Sequence, residues 1–216
     1  IIRGGRGEIL RTVKKPEVRR REIVVTATEL FLAREYEKTT MNDVMKALDI
    51  AKGTIYHYFP SKEKLLEAVV DYLAEGYVER RKSELESTKG DALVKIRTLF
   101  SPERKPEPQQ AEPQQEVTAQ LHKEGNAKLH TRLLAVLVTK LAPVLGSLIE
   151  QGCEEGLFET AHPQEVAELL LAGIQFLTDD GVFPWEQEAI QRRMRAFPSI
   201  IETLLKAEAG SFSFLS

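Results

Sequence analysis

Residues 39–65 read TTMNDVMKALDIAKGTIYHYFPSKEKL, and this stretch spells out two short helices and the start of a longer one. Thr40 with Asp43 three residues on has the form of a capping box, in which a hydroxyl and a carboxylate satisfy free backbone amides reciprocally, so a helix opens there. That helix is expected to bury Val44, Ala47 and Leu48 and to stop at Asp49. The next begins near Ala51 and must end before Pro60, because proline has no amide to donate and drives Phe59 out of α geometry. Ser61 is a good N-cap for the helix that follows. On a 3.6-residue wheel Ile55, Tyr58 and Phe59 share the core-facing side of the middle helix, at i, i+3 and i+4. Lys52 with Tyr56, and Gly53 with His57, fall on the opposite side. One tyrosine and the phenylalanine therefore hold the helix, while the other tyrosine and the histidine are presented outward.

An exposed cation, a glycine that permits close approach, a hydroxyl and an imidazole suit the major groove of DNA, where donors meet base edges and phosphates. The amides opening the next helix, with Ser61 and Lys62, could clamp a backbone phosphate at the positive end of the helix dipole. The plainer alternative is a surface helix carrying chance polar residues. Upstream, Pro16 and Glu17 suit the first turn of a helix with Ile23, Ala27, Leu30 and Phe31 inward and Arg19, Arg20 and Arg21 outward. Two short helices joined by a tight turn, with a preceding helix to pack on, make a helix-turn-helix.

The quoted stretch resembles the DNA-binding signature of TetR-type transcriptional repressors: a Thr-rich helix start, the helix-turn-helix, then Tyr-x-Tyr/His-Phe-x-Ser/Asn-Lys-Glu-x-Leu. The resemblance fixes many positions over about forty-five residues. It implies a phosphate contact at Thr40, a recognition helix carrying Lys52, Gly53, Thr54, Tyr56 and His57, and a backbone-clamping Lys62. Three positions depart from the family pattern. Glu35 and Asp49 stand where the family often has glycine at a helix exit, and a left-handed backbone there would cost a residue with a β-carbon about 1–2 kcal/mol, less for Asp. Ala51 stands where Ser often caps the recognition helix, at a cost of about 1 kcal/mol.

Helical periodicity continues through the rest of the chain with no sustained two-residue alternation, so the predicted fold is all-α. Residues 1–15 read as a flexible arm or added leader, 16–62 as the helix-turn-helix domain, 63–210 as a second helical domain and 211–216 as a tail. Within the second domain a long helix from Ser61 runs to about Leu85 on Leu65, Leu66, Val69, Leu73 and Tyr77. A short one over Asp91–Phe100 should bury Leu93, Ile96 and Phe100. Residues 101–116, SPERKPEPQQAEPQQE, carry four prolines and no apolar period, and are expected to be a poorly ordered loop. Leu129, Leu133, Val136, Leu137, Leu141, Val144, Leu148 and Ile149 draw a long helix from Asn126 to about Glu155, with Pro143 inside it and Gly156 as its stop. Pro163 opens a helix to Leu177, and Trp185 to about Ala209 forms the last, interrupted at Pro198.

By the same resemblance the C-terminal helices form an effector-binding domain, and the last two pair with those of a second subunit. Residues 149–174, IEQGCEEGLFETAHPQEVAELLLAGI, resemble the usual approach to that dimer helix. Val166, Leu169, Leu170, Ile174 and Leu177 line one side with Gly173 allowing close contact, and Ile190, Met194, Phe197, Ile201, Leu204 and Leu205 offer a partner stripe. A monomer would have to bury both stripes internally. Phe100, Leu137 and Phe176 are candidate linings of an effector pocket, although apolar helical residues are more often core.

With 216 residues the chain can bury a core without staples, and its one cysteine, Cys153, allows no intrachain disulfide, which fits a reducing, cytoplasmic setting. Apolar runs are broken by charge or glycine before the ~18–20 residues that span a bilayer, so neither a membrane span nor a signal peptide is predicted. Net charge is −3, yet residues 1–66 carry 14 Lys and Arg against 9 Asp and Glu, and the remainder 16 against 24. The basic end suits a polyanion, though a mild excess is also what a solvated surface carries. Paired carboxylates, nucleophile motifs and phosphate-cradling glycine loops are missing, which argues against an enzyme. His122 and His130 lie eight apart with no helix predicted across them, so no metal site is assigned and no cofactor expected; His162 before Pro163 reads as a loop residue. The expectation is a homodimeric repressor that binds a double-stranded operator, released by a small-molecule effector. The alternative is a helical adaptor that binds protein.

Overall fold

The computed structural model describes residues 15–101 and 114–215, and every regular element among them is helical. In chain order these are α1 (Pro16–Arg34), α2 (Met41–Leu48), α3 (Lys52–Tyr58), α4 (Lys62–Ser87), α5 (Ala92–Phe100), α6 (Gln114–Leu121), α7 (Ala127–Glu154), α8 (Pro163–Leu177) and α9 (Gln187–Leu205), with single 3-10 turns at Glu124–Asn126 and Ser213–Leu215. The helix starts follow side-chain chemistry. Thr40 closes both halves of the capping box with Asp43. Ser61 accepts from the Lys64 amide, and Asp91 from that of Val94. Ala51 has no side chain to offer, and α3 starts uncapped.

The helix exits show why glycine is common there in the resembled pattern. Asp49 adopts φ +50, ψ +50, and the amides of Asp49 and Ile50 return to the carbonyls of Lys46 and Met45, a Schellman closure around a left-handed residue. Glu35 adopts φ +68, ψ +146, a region costing a non-glycine residue about 1–3 kcal/mol. Docking on the body of the molecule holds it there. The Tyr36 amide donates to Asn126 Oδ1 at 2.6 Å and the Glu37 amide to the Gly125 carbonyl at 3.0 Å.

Two hydrophobic clusters fill the interior. The first joins Ile23, Ala27 and Phe31 of α1, Val44 of α2, and Ile55 and Phe59 of the recognition segment to Leu65, Leu66 and Val69 of α4. It also takes in Leu121, Leu129 and Leu133 from α6 and the start of α7. The helix-turn-helix thus shares its core with the body. The second cluster lies among α5, the later part of α7, α8 and α9.

Several expectations shift. Ala47 is exposed, because α2 meets the core through Met41 and Val44. In α5 the inner positions are Ala92, Ile96 and Leu99, leaving Leu93 and Phe100 half-buried, since that face packs against α4 and α7. The last helix starts two residues after Trp185, whose ring stacks on Phe183 and is covered by the Arg193 guanidinium at 3.9 Å, and it ends at Leu205. Residues 211–215 do not trail as a tail: Phe212 and Leu215 are buried in the second cluster, where Phe212 meets Phe158. Of the expected 101–116 loop, residues 102–113 lie outside the described residues, and 114–116 already belong to α6. Residues 1–14 of the expected arm also lie outside them. Contrary to the sequence expectation, residues 124–154 are long and apolar enough to cross a membrane by length and composition. They pack against α4, α5 and α8 instead, with Leu129, Leu133, Leu141, Leu145 and Ile149 buried.

Candidate nucleic-acid interface

The seven residues of α3 divide as the wheel requires. Ile55 is fully buried and Phe59 is 2% exposed, while Tyr56 is 40% exposed and Lys52, Gly53 and His57 are exposed. Tyr58 and Thr54 are intermediate. The Lys52 ammonium hangs over the Tyr56 ring at 5.8 Å, so cation and phenol form one outward patch, and the His57 ring sits edge-on to Tyr58. A β-carbon built on Gly53 would meet nothing within 4 Å. Glycine inside a helix costs about 1 kcal/mol relative to alanine. Packing within the chain gives no reason for it, and a surface approaching from outside would.

The flanking contacts are arranged differently. Thr40 directs both its amide (2.8 Å) and its hydroxyl (2.6 Å) at Asp43 Oδ2, and these bonds hold the Asp43 carboxyl below its usual pKa. Lys62 lies inward: its ammonium sits 4.1 Å from the centre of the Tyr36 ring and donates to the Glu37 carbonyl at 3.2 Å. Burial pushes its pKa down. Lys128 Nζ approaches the same ring at 5.7 Å and is paired at 2.9 Å with Glu63, whose carboxyl is held below its usual range by that bond. Lys62 therefore pins the α1–α2 turn to the start of α4. A phosphate contact would require it to exchange partners, and sequence spacing could not show this because Tyr36 and Glu37 lie about 25 residues away. Arg20 lies over the Phe59 ring at 5.2 Å.

The stripes of α8 and α9 split between core and surface. Leu170, Ile201 and Leu205 are buried in the chain's own second cluster, which also takes in Val166, Ile174 and Phe197 at its edge, so these side chains are engaged within one subunit. Leu169 (59% exposed), Leu177, Ile200 and Leu204 remain on the surface, and a β-carbon on Gly173 would meet nothing. Leu169, Gly173 and Leu177 recur at four-residue steps, giving α8 one apolar outer face. Of the candidate pocket residues, Phe100 and Leu137 pack against the core and Phe176 is half-buried. Two surface grooves, one bounded by Arg81, Thr88, Val94 and Ser101 and the other by Glu67, Val70, Arg132 and Val136, include none of the three.

A three-helix head with an outward polar recognition face, set on a helical body, defines a helix-turn-helix regulator. Comparison with known proteins gives the family. "Bacterial regulatory proteins, tetR family" matches residues 23–69, and "Tetracyclin repressor-like, C-terminal domain" matches residues 110–200. The chain belongs to the TetR family of bacterial transcriptional regulators, a non-enzymatic family. It is similar to the transcriptional repressor KstR2 of Mycolicibacterium smegmatis, 32% identical over 90 residues, covering 41% of this chain and 43% of that one. It is also similar to the uncharacterised regulators YuxN and YhgD of Bacillus subtilis. YuxN is 42% identical over 50 residues (23% of this chain, 17% of YuxN), and YhgD is 25% identical over 174 residues (79% and 85%). The matched segment thus spans less than half the length of YuxN and of KstR2. Among solved structures, a TetR-family regulator from Pectobacterium atrosepticum shares the fold with a TM-score of 0.60 at 21% identity, over 89% of this chain and 98% of that one. Reduced NemR of E. coli does so with a TM-score of 0.55 at 19% identity, over 88% and 99%.

Proposed function

We propose that this regulator is a cytoplasmic repressor that binds a pseudo-palindromic DNA operator as a homodimer and releases it when a small molecule occupies the helical body. The observation that carries the reading is the outer face of α3, where Lys52, Gly53, Tyr56 and His57 are turned to solvent while Ile55 and Phe59 fix the helix from behind. In this reading Lys52, Thr54, Tyr56 and His57 supply donors to bases and phosphates, Gly53 admits the backbone, and Thr40 flanks them at the start of α2. Leu169, Gly173 and Leu177 of α8, with Ile200 and Leu204 of α9, form the face that meets the second subunit. The name of KstR2 as a repressor supports the sign of regulation. An effector acts by binding one spacing of the two heads better than the other.

Titration of random-sequence duplex DNA at graded salt tests the DNA-binding core of this reading. Neutralisation of several phosphates releases their counterions and makes log K fall against log salt with a slope of about −0.9 per phosphate neutralised. A helical adaptor would show no salt-dependent binding, and that result would reject the proposal.

A further inference from the structure

Away from α3, three side chains from separate parts of the chain converge. His122 follows the last turn of α6, His130 stands in the first turns of α7, and Asp179 lies in the loop after α8. We propose that His122, His130 and Asp179 form a binding site for a divalent transition ion of the zinc class. One donor atom from each lies within 4.8 Å of the other two. Asp179 Oδ2 is 3.0 Å from His130 Nε2, and its Oδ1 is 3.6 Å from His122 Nε2. Tetrahedral zinc with bonds of about 2.0–2.1 Å places its ligand atoms roughly 3.3 Å apart, and these two separations, one from each carboxylate oxygen, lie on either side of that spacing.

The surroundings prepare these atoms for a cation. The amides of Gly181 and Val182 donate to Asp179 Oδ1 at 2.9 and 3.1 Å, which fixes the carboxylate with Oδ2 beside His130. Asp180 Oδ1 lies 2.9 Å from His122 Nδ1, which sets a carboxylate on the ring nitrogen away from Asp179. A carboxylate on the far nitrogen of a ligating histidine is the usual outer support of a zinc site. Gly181 lets the loop close in, since a β-carbon there would stand 2.8 Å from His122 Cδ2 and 3.0 Å from His130 Cε1. His, His and carboxylate with an open position is a borderline N/O set that suits zinc over calcium or magnesium.

An ion here would tie the α8–α9 loop to the α6–α7 junction. Asn126, midway between the two histidines, is fully buried, holds the Tyr36 amide through Oδ1 and reaches the Gln120 carbonyl through Nδ2 at 2.8 Å. The ion would therefore brace the seat of the α1–α2 turn. The site stands on its own whether or not the chain binds DNA.

The test titrates Zn²⁺ into chelator-stripped full-length protein against a chromophoric chelator, and follows Co²⁺ by its visible absorption. The expected result is one ion per chain, a raised melting temperature, and affinity at least tenfold lower in His122→Ala and Asp179→Asn, with His162→Ala unchanged. His122 is a quarter exposed, so its removal leaves the core in place, which circular dichroism of His122→Ala checks. Failure of the wild type to hold an ion, or equal affinity in wild type and His122→Ala, would overturn the proposal.

Discussion

Tyr56 and Phe59 stand three residues apart and do opposite things. The Phe59 ring is enclosed among α1, α3 and α4 beneath the Arg20 guanidinium, so Phe59→Ala is expected to destabilise the fold by roughly 3–5 kcal/mol, with DNA binding lost only as a consequence. Tyr56→Phe keeps the ring and removes one exposed hydroxyl. It should leave the melting temperature unchanged and weaken operator binding by about 0.5–1.5 kcal/mol, more if the acceptor is a phosphate. Melting curves and operator titrations at one salt concentration check both. Early melting with normal binding in Tyr56→Phe would mean that the recognition surface lies on another face. At this scale the sequence was informative because caps and wheel positions depend on neighbours within four residues: the Thr40–Asp43 box and the uncapped Ala51 were legible, and Glu35 and Asp49, which stand where the family often has glycine, both take positive φ. Lys62 was not, because its partners Tyr36 and Glu37 reach it through the tertiary fold.

Between elements, the decisive junction is the α1–α2 turn on the segment before α7. Its geometry rests on the Tyr36 amide to Asn126, the Glu37 amide to Gly125, and Lys62 against Tyr36 and Glu37. Asn126→Ala strands the Tyr36 amide away from solvent, at about 1–3 kcal/mol for an unsatisfied group. Lys62→Ala should also lower the melting temperature, and should leave the salt slope of DNA binding unchanged if the ammonium serves the turn. A slope shallower by about 0.9 would instead show that Lys62 neutralises a phosphate. Differential scanning calorimetry and salt-graded titration of the two variants separate these outcomes. The existence of α1, α2, α4 and α7 was legible from periodicity, but α6 was not, nor was the junction, since 90 residues separate Tyr36 from Asn126. For the same reason the histidines, eight apart in sequence, gave no sign of Asp179, which arrives from beyond α8.

For the whole molecule, the shared first core joins head and body, with residues of α1, α2, α4, α6 and α7 in one cluster. The apolar stripes of α8 and α9 were legible, but not their division between core and surface, because a stripe does not say which neighbour covers it. Leu169→Glu with Leu204→Glu places charge only on the exposed part and is expected to yield a folded monomer with reduced operator affinity. Analytical ultracentrifugation showing an unaltered dimer would place the subunit contact elsewhere. Leu170→Glu would test the core instead, since Leu170 is buried within the chain.

Selection of bound sequences from a random pool of duplex DNA by the wild-type protein tests the central claim most directly. Two copies of α3 related by a two-fold axis should enrich inverted half-sites whose centres lie about one helical turn, or a multiple of it, apart. A recovered pool indistinguishable in sequence from the input would contradict a DNA-reading role for the outer face of α3.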